Sequence, residues 1–199
     1  ITINNLSIHF NGDNLFDNVS FTIGDRDRIG LVGKNGAGKT TTVRMLTTLT
    51  QPSEGEILYD GVPLKGNESE LKRKIGVVPQ NLNFDQDLTA GENLELHARL
   101  YHLPKEKREK RIKELLEFVE LEDIVNDSVR KLSGGMKRRL LIARGLIHEP
   151  EVLFMDEPTV ALDPQVRRRI WDLIRQMARK GTTVLLTTHY IEEAAALCD

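Results

Sequence analysis

A glycine-rich segment at residues 33–40 reads GKNGAGKT and matches the pattern G-x-x-x-x-G-K-[ST] of a phosphate-binding loop. A chance match in a chain of 199 residues has a probability on the order of 1%. Glycines let the backbone curl so that successive N–H groups point inward, and the helix that follows presents its positive N-terminal end to the same anion. We expect Lys39 to hold the β- and γ-phosphates of a nucleotide and the Thr40 hydroxyl to ligate Mg²⁺.

Two acidic residues and a histidine follow two apolar runs that we predict to be strands. Asp156 and Glu157 come directly after residues 152–155, and His189 lies just beyond residues 183–187. Open parallel sheets bind ligands at the carboxyl ends of their strands. We expect Asp156 to orient Mg²⁺ through a water and Glu157 to polarise the attacking water as a general base. An imidazole at His189 could hydrogen-bond the γ-phosphate and sense its loss.

Each of these residues also has an ordinary structural interpretation. An acidic pair after a strand is commonly the solvated start of a loop, and a lone histidine is usually structural or solvated. The functional interpretation of Asp156, Glu157 and His189 therefore depends on the phosphate loop at residues 33–40.

A second helix start capable of binding an anion occurs at residues 132–136, which read LSGGM. Ser133, Gly134 and Gly135 combine a helix-capping serine with two glycines, and the helix is predicted to continue through Arg144. A helical lobe separates this end from the phosphate loop, so one nucleotide within one chain could hardly use both. This separation indicates a second subunit.

The remaining sequence predicts the elements that must position these residues. Apolar strands alternate with helices, which argues for a parallel sheet covered on both faces. The predicted strands are 1–10 and 18–23, paired at a sheet edge, and 28–32, 55–59, 75–79, 152–155 and 183–187; strand 28–32 is expected to be buried. The predicted helices are 38–49, 164–179 and one from about residue 190. Helices also fill a lobe at about 87–147, with an apolar stripe at Ile112, Leu115, Leu116 and Val119.

Composition excludes several classes of protein. The formal net charge is −2, which gives no electrostatic argument for nucleic acid or an anionic membrane. The longest apolar runs, such as 152–155 and 194–198, are far below the ~18 residues of a membrane-spanning helix. The start of the chain lacks the pattern of a secretory signal, and the one cysteine, Cys198, fits a reducing, cytoplasmic setting. The length and the one phosphate loop favour a single domain over residues 1–199.

In the order of its motifs the sequence resembles the ATPase domain of ATP-binding cassette (ABC) proteins, over essentially the whole chain. GKNGAGKT resembles Walker A, Gln80 after VVP the Q-loop, LSGGM the family signature, VLFMDEP at 152–158 Walker B with its glutamate, VALD at 160–163 the D-loop, and TTH at 187–189 the switch histidine. The resemblance implies an α/β fold: a P-loop NTPase with a mostly parallel sheet core, an N-terminal antiparallel β lobe and an inserted α-helical lobe.

The resemblance also implies residue roles, cofactors and partners. Catalysis is assigned to Glu157, His189 and Gln80, and Mg²⁺ to Thr40, Gln80 and Asp156. ATP binding is assigned to Phe10, which would stack on adenine, and to a larger set of residues: Gly33, Asn35, Gly36, Ala37, Gly38, Lys39, Thr40, Thr41, Ser133, Gly134, Gly135 and Asp163. Two copies are expected to pair head to tail around two ATP molecules. The helical lobe is expected to contact a separate transmembrane subunit at the inner face of the cell membrane, and no nucleic acid is expected.

The sequence departs from the family pattern at two places. The usual signature ends in Gln, whereas Met136 stands here, although LSGGM occurs in similar exporter ATPases. The family normally continues past the helix after the switch histidine, so C-terminal elements are expected to be missing after Asp199.

Three alternatives accompany the leading hypothesis of an exporter ATPase: a ribosome-associated ABC-F protein, a truncated or chimeric scaffold without activity, and a chromosome or repair ATPase. From residue 51 onward the sequence looks most like drug-type or nodulation-factor-type exporters, whereas 15–40 looks more like the ribosome-associated ABC-F branch. A mosaic or chimera, or a truncated scaffold without activity, therefore also stays open. A chromosome or repair ATPase would insert long coiled coils, and no sustained heptad pattern lies between residues 40 and 132.

Overall fold

The computed structural model describes residues 1–10 and 13–198, with the side chains of 1–9 and 15–198. The strands are β1 Thr2–Phe10, β2 Asp13–Thr22, β3 Arg28–Val32, β4 Glu54–Tyr59, β5 Val62–Pro63, β6 Ile75–Val78, β7 Val152–Asp156 and β8 Thr183–Thr188. The helices are α1 Lys39–Leu46, α2 Glu68–Leu71, α3 Ala90–Leu100, α4 Lys105–Phe118, α5 Gly134–Gly145, α6 Pro164–Arg179 and α7 Ile191–Leu197, with 3₁₀ turns at Glu122–Ile124 and Val129–Lys131.

The central sheet is parallel, in the order β3–β8–β7–β6. Every residue of β7 and β8 is buried. Alternate residues of β7 enter two different cores: Leu153 and Met155 pack with the helices α3 to α7, whereas Val152 and Phe154 pack with α1 and the N-terminal strands. Both faces of the sheet are therefore covered, which is why these strands are continuous apolar runs. The expected parallel core is confirmed.

The N-terminal strands form a separate antiparallel sheet in the order β2–β1–β4–β5. Its apolar face, which includes Ile3, Leu6 and Ile57, packs against α1. The Tyr59 hydroxyl donates a buried hydrogen bond of 2.7 Å to the carbonyl of Leu46, the last residue of α1. This sheet therefore holds the helix that follows the phosphate loop.

The helical lobe comprises α3, α4 and α5. Thr89 and Glu92 close a reciprocal capping box at the start of α3. In the predicted apolar stripe, Leu115, Leu116 and Val119 are buried, while Ile112 is partly buried against the same core. The stripe and the lobe are confirmed.

Some predicted boundaries were wrong. The first helix ends at Leu46 rather than residue 49, because Thr48 takes a left-handed backbone with φ 67° that a helix cannot continue. The second strand begins at Asp13 rather than residue 18. Strand β3 is only partly buried, with Val32 47% exposed, because in the described part of the chain it is an edge strand paired with β8 alone.

None of the helices in the described part of the chain has the length and apolar character that crossing a membrane requires.

Candidate active site

The phosphate loop connects the end of β3 to the start of α1. Gly36 and Gly38 have φ of 85° and 83°, a left-handed backbone that side chains other than glycine rarely adopt. A Cβ at Gly33 would lie 3.2 Å from the Cβ of Ala37, so the two ends of the loop approach closely. Asn35 is exposed on the same curve. Residues 33–38 of the loop therefore contribute backbone rather than side chains to its interior.

Lys39, the first residue of α1, fills this interior. Its side chain is buried, and its ammonium group donates hydrogen bonds to the carbonyls of Gly33 at 2.6 Å and Lys34 at 3.1 Å. The next two residues, Thr40 and Thr41, continue the first turn of α1, whose N-terminal end is at the loop. The loop thus holds a buried positive charge at a helix N-terminus, an arrangement that binds phosphate.

Asp156, the last residue of β7, lies beside Thr40. The Thr40 hydroxyl donates to Asp156 Oδ1 at 3.2 Å, although the two residues are 116 positions apart. The buried hydroxyl of Thr187 on β8 donates to the same oxygen at 2.5 Å. The contact between Thr187 and Asp156 follows from the strand register, because the two residues lie directly opposite each other in the β7–β8 pair.

The Glu157 carboxylate is the meeting point of the site. Its Oε2 lies 3.3 Å from Gln80 Nε2 and 3.3 Å from His189 Nδ1, and its Oε1 lies 3.7 Å from Lys39 Nζ. The residue is 8% exposed. Its backbone N–H donates to both the carbonyl and the hydroxyl of Thr187, at 3.1 and 3.0 Å. The segments that follow the strands β3, β6, β7 and β8 therefore meet at this one carboxylate.

Arg138 holds the segment that carries Gln80. Its guanidinium donates to the carbonyls of Pro79 and Gln80, both at 2.8 Å, from α5 in the helical lobe. Burial lowers the pKa of Arg138, and the negative charge of Asp156 acts in the opposite direction. Arg138 and Thr187 were both missed as site residues. The register of β8 against β7 could have indicated Thr187, but nothing in the local sequence marks Arg138.

The start of α5 is exposed on the helical lobe. The Ser133 hydroxyl accepts a 3.2 Å hydrogen bond from the backbone N–H of Met136, and Ser133 and Gly134 are exposed. A Cβ at Gly135 would lie 2.8 Å from Val166 of α6, so glycine allows the two helices to approach. Met136 packs against the buried core of the lobe. In this chain an apolar contact thus occupies the position of the usual glutamine.

The two remaining residues predicted to bind the nucleotide are Asp163 and Phe10. Asp163 caps α6: its carboxylate accepts hydrogen bonds from the backbone N–H groups of Gln165 and Val166, both at 3.0 Å. The contacts made by Asp163 within this chain are therefore those of a helix cap. The side chain of Phe10 lies outside the described residues.

Comparison with known proteins identifies the family. Residues 16–160 match the family described as ABC transporter. The chain belongs to this family. A Nod factor export ATP-binding protein I of Ralstonia nicotianae is 45% identical over 199 residues, covering 100% of this chain and 62% of its own length.

Solved ABC structures share the fold. The cbiO1 protein from Clostridium perfringens, part of the ABC transporter complex cbiONQ, has a TM-score of 0.91 at 28% identity, over 100% of this chain and 81% of that one. The ATP-binding cassette MJ0796, in a dimeric post-hydrolysis state bound to ADP and Pi, has a TM-score of 0.87 at 31% identity, over 98% and 90%. These likenesses confirm the predicted P-loop NTPase fold. The chain spans about 62% of the length of the Nod factor export relative.

The donor set of this ABC transporter chain fits Mg²⁺. The Thr40 hydroxyl, the Asp156 carboxylate and the amide oxygen of Gln80 are oxygen ligands of the kind that the ion prefers. Among the described residues no group of three or more His, Cys, Asp or Glu side chains is arranged to hold a metal ion. An ion held by so few protein ligands would complete its coordination with phosphate oxygens and water, as Mg²⁺ usually does.

Proposed function

We propose that residues 1–199 form one nucleotide-binding domain that binds Mg²⁺-ATP and hydrolyses it to ADP and phosphate, as the motor of an ABC exporter. The convergence of Lys39, Gln80 and His189 on the Glu157 carboxylate, beside the Thr40–Asp156 pair, carries this proposal. Such a constellation can position a triphosphate and a water together.

Each side chain has a distinct task in the proposed reaction. Lys39 exchanges its hydrogen bonds to the Gly33 and Lys34 carbonyls for the phosphates, which costs little reorganisation because the ammonium group is already in the loop. Glu157 orients the attacking water and takes its proton. His189 hydrogen-bonds the γ-phosphate. Mg²⁺, when bound by Thr40, Asp156 and Gln80, would neutralise charge on the phosphates.

We place the second half of the site on another copy of the chain. The exposed start of α5 offers N–H groups at Ser133 and Gly134 that no nucleotide in the same chain's phosphate loop needs. The dimeric state of the MJ0796 cassette supports the pairing of two copies, which we take to be head to tail. Asp163 would then join the nucleotide site in the assembled dimer, and Phe10 would stack on the adenine.

A separate membrane protein completes the proposed machine. The Nod factor export relative and the cbiONQ complex support a membrane partner, and we place the domain at the inner face of the cell membrane. The relative aligns along all 199 residues, including 15–40, which favours the exporter over the ABC-F alternative.

The test compares ATP turnover of the wild type with Glu157→Gln. The amide keeps the size of the side chain but cannot accept the proton, so turnover should fall by roughly 10²-fold or more while ATP binding survives. Glu106→Gln, an exposed residue of α4, is the matched control and should keep wild-type turnover. Unchanged turnover in Glu157→Gln would remove this carboxylate from the mechanism.

A further inference from the structure

Glu193, in the first turn of α7, is a buried acidic residue with no role in the reaction described above. It is 1% exposed, and its Oε1 accepts hydrogen bonds from Thr159 Oγ1 at 2.6 Å and from Trp171 Nε1 at 2.9 Å. Both donors are neutral. Burying a carboxylate on neutral donors is costly, and an apolar side chain could fill such a position more cheaply. The arrangement therefore calls for an explanation beyond packing.

Thr159 anchors a loop whose backbone is strained. Glu157 and Ala161 have φ of 46° and 57°, in the left-handed region that residues other than glycine seldom adopt. Such conformations persist only where the surroundings fix them. Thr159 lies between the two, is fully buried, and gives its hydroxyl hydrogen to Glu193. The Glu193 carboxylate is thus a fixed point for the loop that begins at the proposed general base.

The same carboxylate holds the segment that follows His189. Glu193 is four residues beyond this histidine, and Trp171 ties it to α6. A second contact between the same elements lies nearby, because the Arg167 guanidinium of α6 sits 4.5 Å over the ring of Tyr190. The start of α7 is therefore attached to α6 at two points.

We propose that Glu193 is a positioning residue for ATP hydrolysis, which fixes Glu157 and His189 relative to each other through Thr159 and α7. The two side chains leave neighbouring strands, and Thr187 ties these strands at the sheet edge. Glu193 supplies a second tie, beyond the sheet, and contacts no substrate itself. This inference rests on the proposed function.

The first experiment removes the hydrogen bond from the Thr159 side. Thr159→Val keeps the shape but not the hydroxyl, and Thr159→Ser keeps the hydroxyl. We expect the Thr159→Val variant to have a kcat lower by roughly 10- to 100-fold, because a misplacement of a catalytic group by about 1 Å can lower the rate by about 10²-fold. KM for ATP should change by less than about twofold, because neither Thr159 nor Glu193 contacts phosphate. The Thr159→Ser variant should keep most of the wild-type kcat.

The second experiment changes the acceptor. Glu193→Gln keeps an oxygen for the two donors but removes its charge, which weakens charge-assisted hydrogen bonds, so we expect kcat to fall by several-fold. Glu192→Gln, the exposed neighbour in the same turn, makes the same change of charge and should leave kcat unchanged. Amide hydrogen exchange of residues 157–163 should be faster in Thr159→Val and Glu193→Gln than in this control.

The outcomes separate this inference from the proposed function. Wild-type kcat and wild-type exchange in Thr159→Val would overturn the role of Glu193, and so would a loss that Thr159→Ser fails to rescue or that appears in KM instead of kcat. A wild type that does not hydrolyse ATP would instead contradict the proposed function. In that case the exchange of residues 157–163 still decides whether Glu193 holds the loop.

Discussion

Thr187→Val should destabilise the protein more than an ordinary buried threonine substitution. Its hydroxyl donates to the Asp156 carboxylate at 2.5 Å in a fully buried position, and valine removes that bond without changing the shape. A hydrogen bond to a charged group contributes about 1.5–3 kcal/mol. The Glu157 N–H keeps the Thr187 carbonyl as an acceptor at 3.1 Å, so no further cost arises there.

Thr188→Val, the next residue along β8, is the matched control. It is equally buried, but its hydroxyl accepts a 3.0 Å hydrogen bond from the neutral backbone N–H of Tyr190. A neutral hydrogen bond contributes about 0.5–1.5 kcal/mol. For a chain of this size about 1 kcal/mol lowers Tm by about 2–4 °C, so we expect a fall of about 3–12 °C for Thr187→Val and a smaller one for Thr188→Val.

Thermal unfolding without nucleotide measures the difference, and urea unfolding at pH 7 provides an independent value. A Thr187→Val variant as stable as the wild type, or no less stable than Thr188→Val, would show that the Asp156 carboxylate does not depend on this hydroxyl. The reasoning about the sheet edge would then be wrong.

Three further predictions concern the phosphate loop, the start of α5 and a buried histidine. Lys39→Ala should abolish measurable ATP affinity in equilibrium binding, whereas Thr40→Ala should mainly weaken its Mg²⁺ dependence, and equal defects would contradict the two roles. The Ser133→Arg variant should bind ATP but hydrolyse it poorly, and mixing it with the Lys39→Ala variant should restore some activity. Wild-type turnover that stays proportional to protein concentration down to a monomeric regime would exclude the two-chain site. Burial, reinforced by the charge of Arg144, lowers the pKa of His97 from 6.5 to about 4. Between these two pH values the unfolded chain binds more protons than the folded chain, so the stability should fall as the pH drops from about 6.5 to 4. Urea midpoints at pH 7 and pH 5 should show a smaller loss in His97→Gln, and an unchanged loss would contradict the assignment.

The sequence by itself determined the local parts of this protein. The spacing of glycines with Lys39 and Thr40 specifies a loop whose backbone faces an anion, and this depends on neighbouring residues alone. The same holds for the acidic pair after an apolar run and for Ser133 as the cap of α5. The continuous apolar runs at β7 and β8 predicted buried parallel strands, because only a sheet covered on both faces favours them.

Tertiary structure decided which of these parts meet. The partners of Glu157 come from positions 39, 80 and 189, and strand order and register bring them together. Arg138 acts from another lobe and Glu193 from another helix, so no local periodicity marks either one. The partial exposure of β3 likewise follows from its place at the edge of the described sheet. Hydrophobic patterning reports which face of an element is buried, whereas the identity of the neighbour depends on long-range packing that a single segment does not encode.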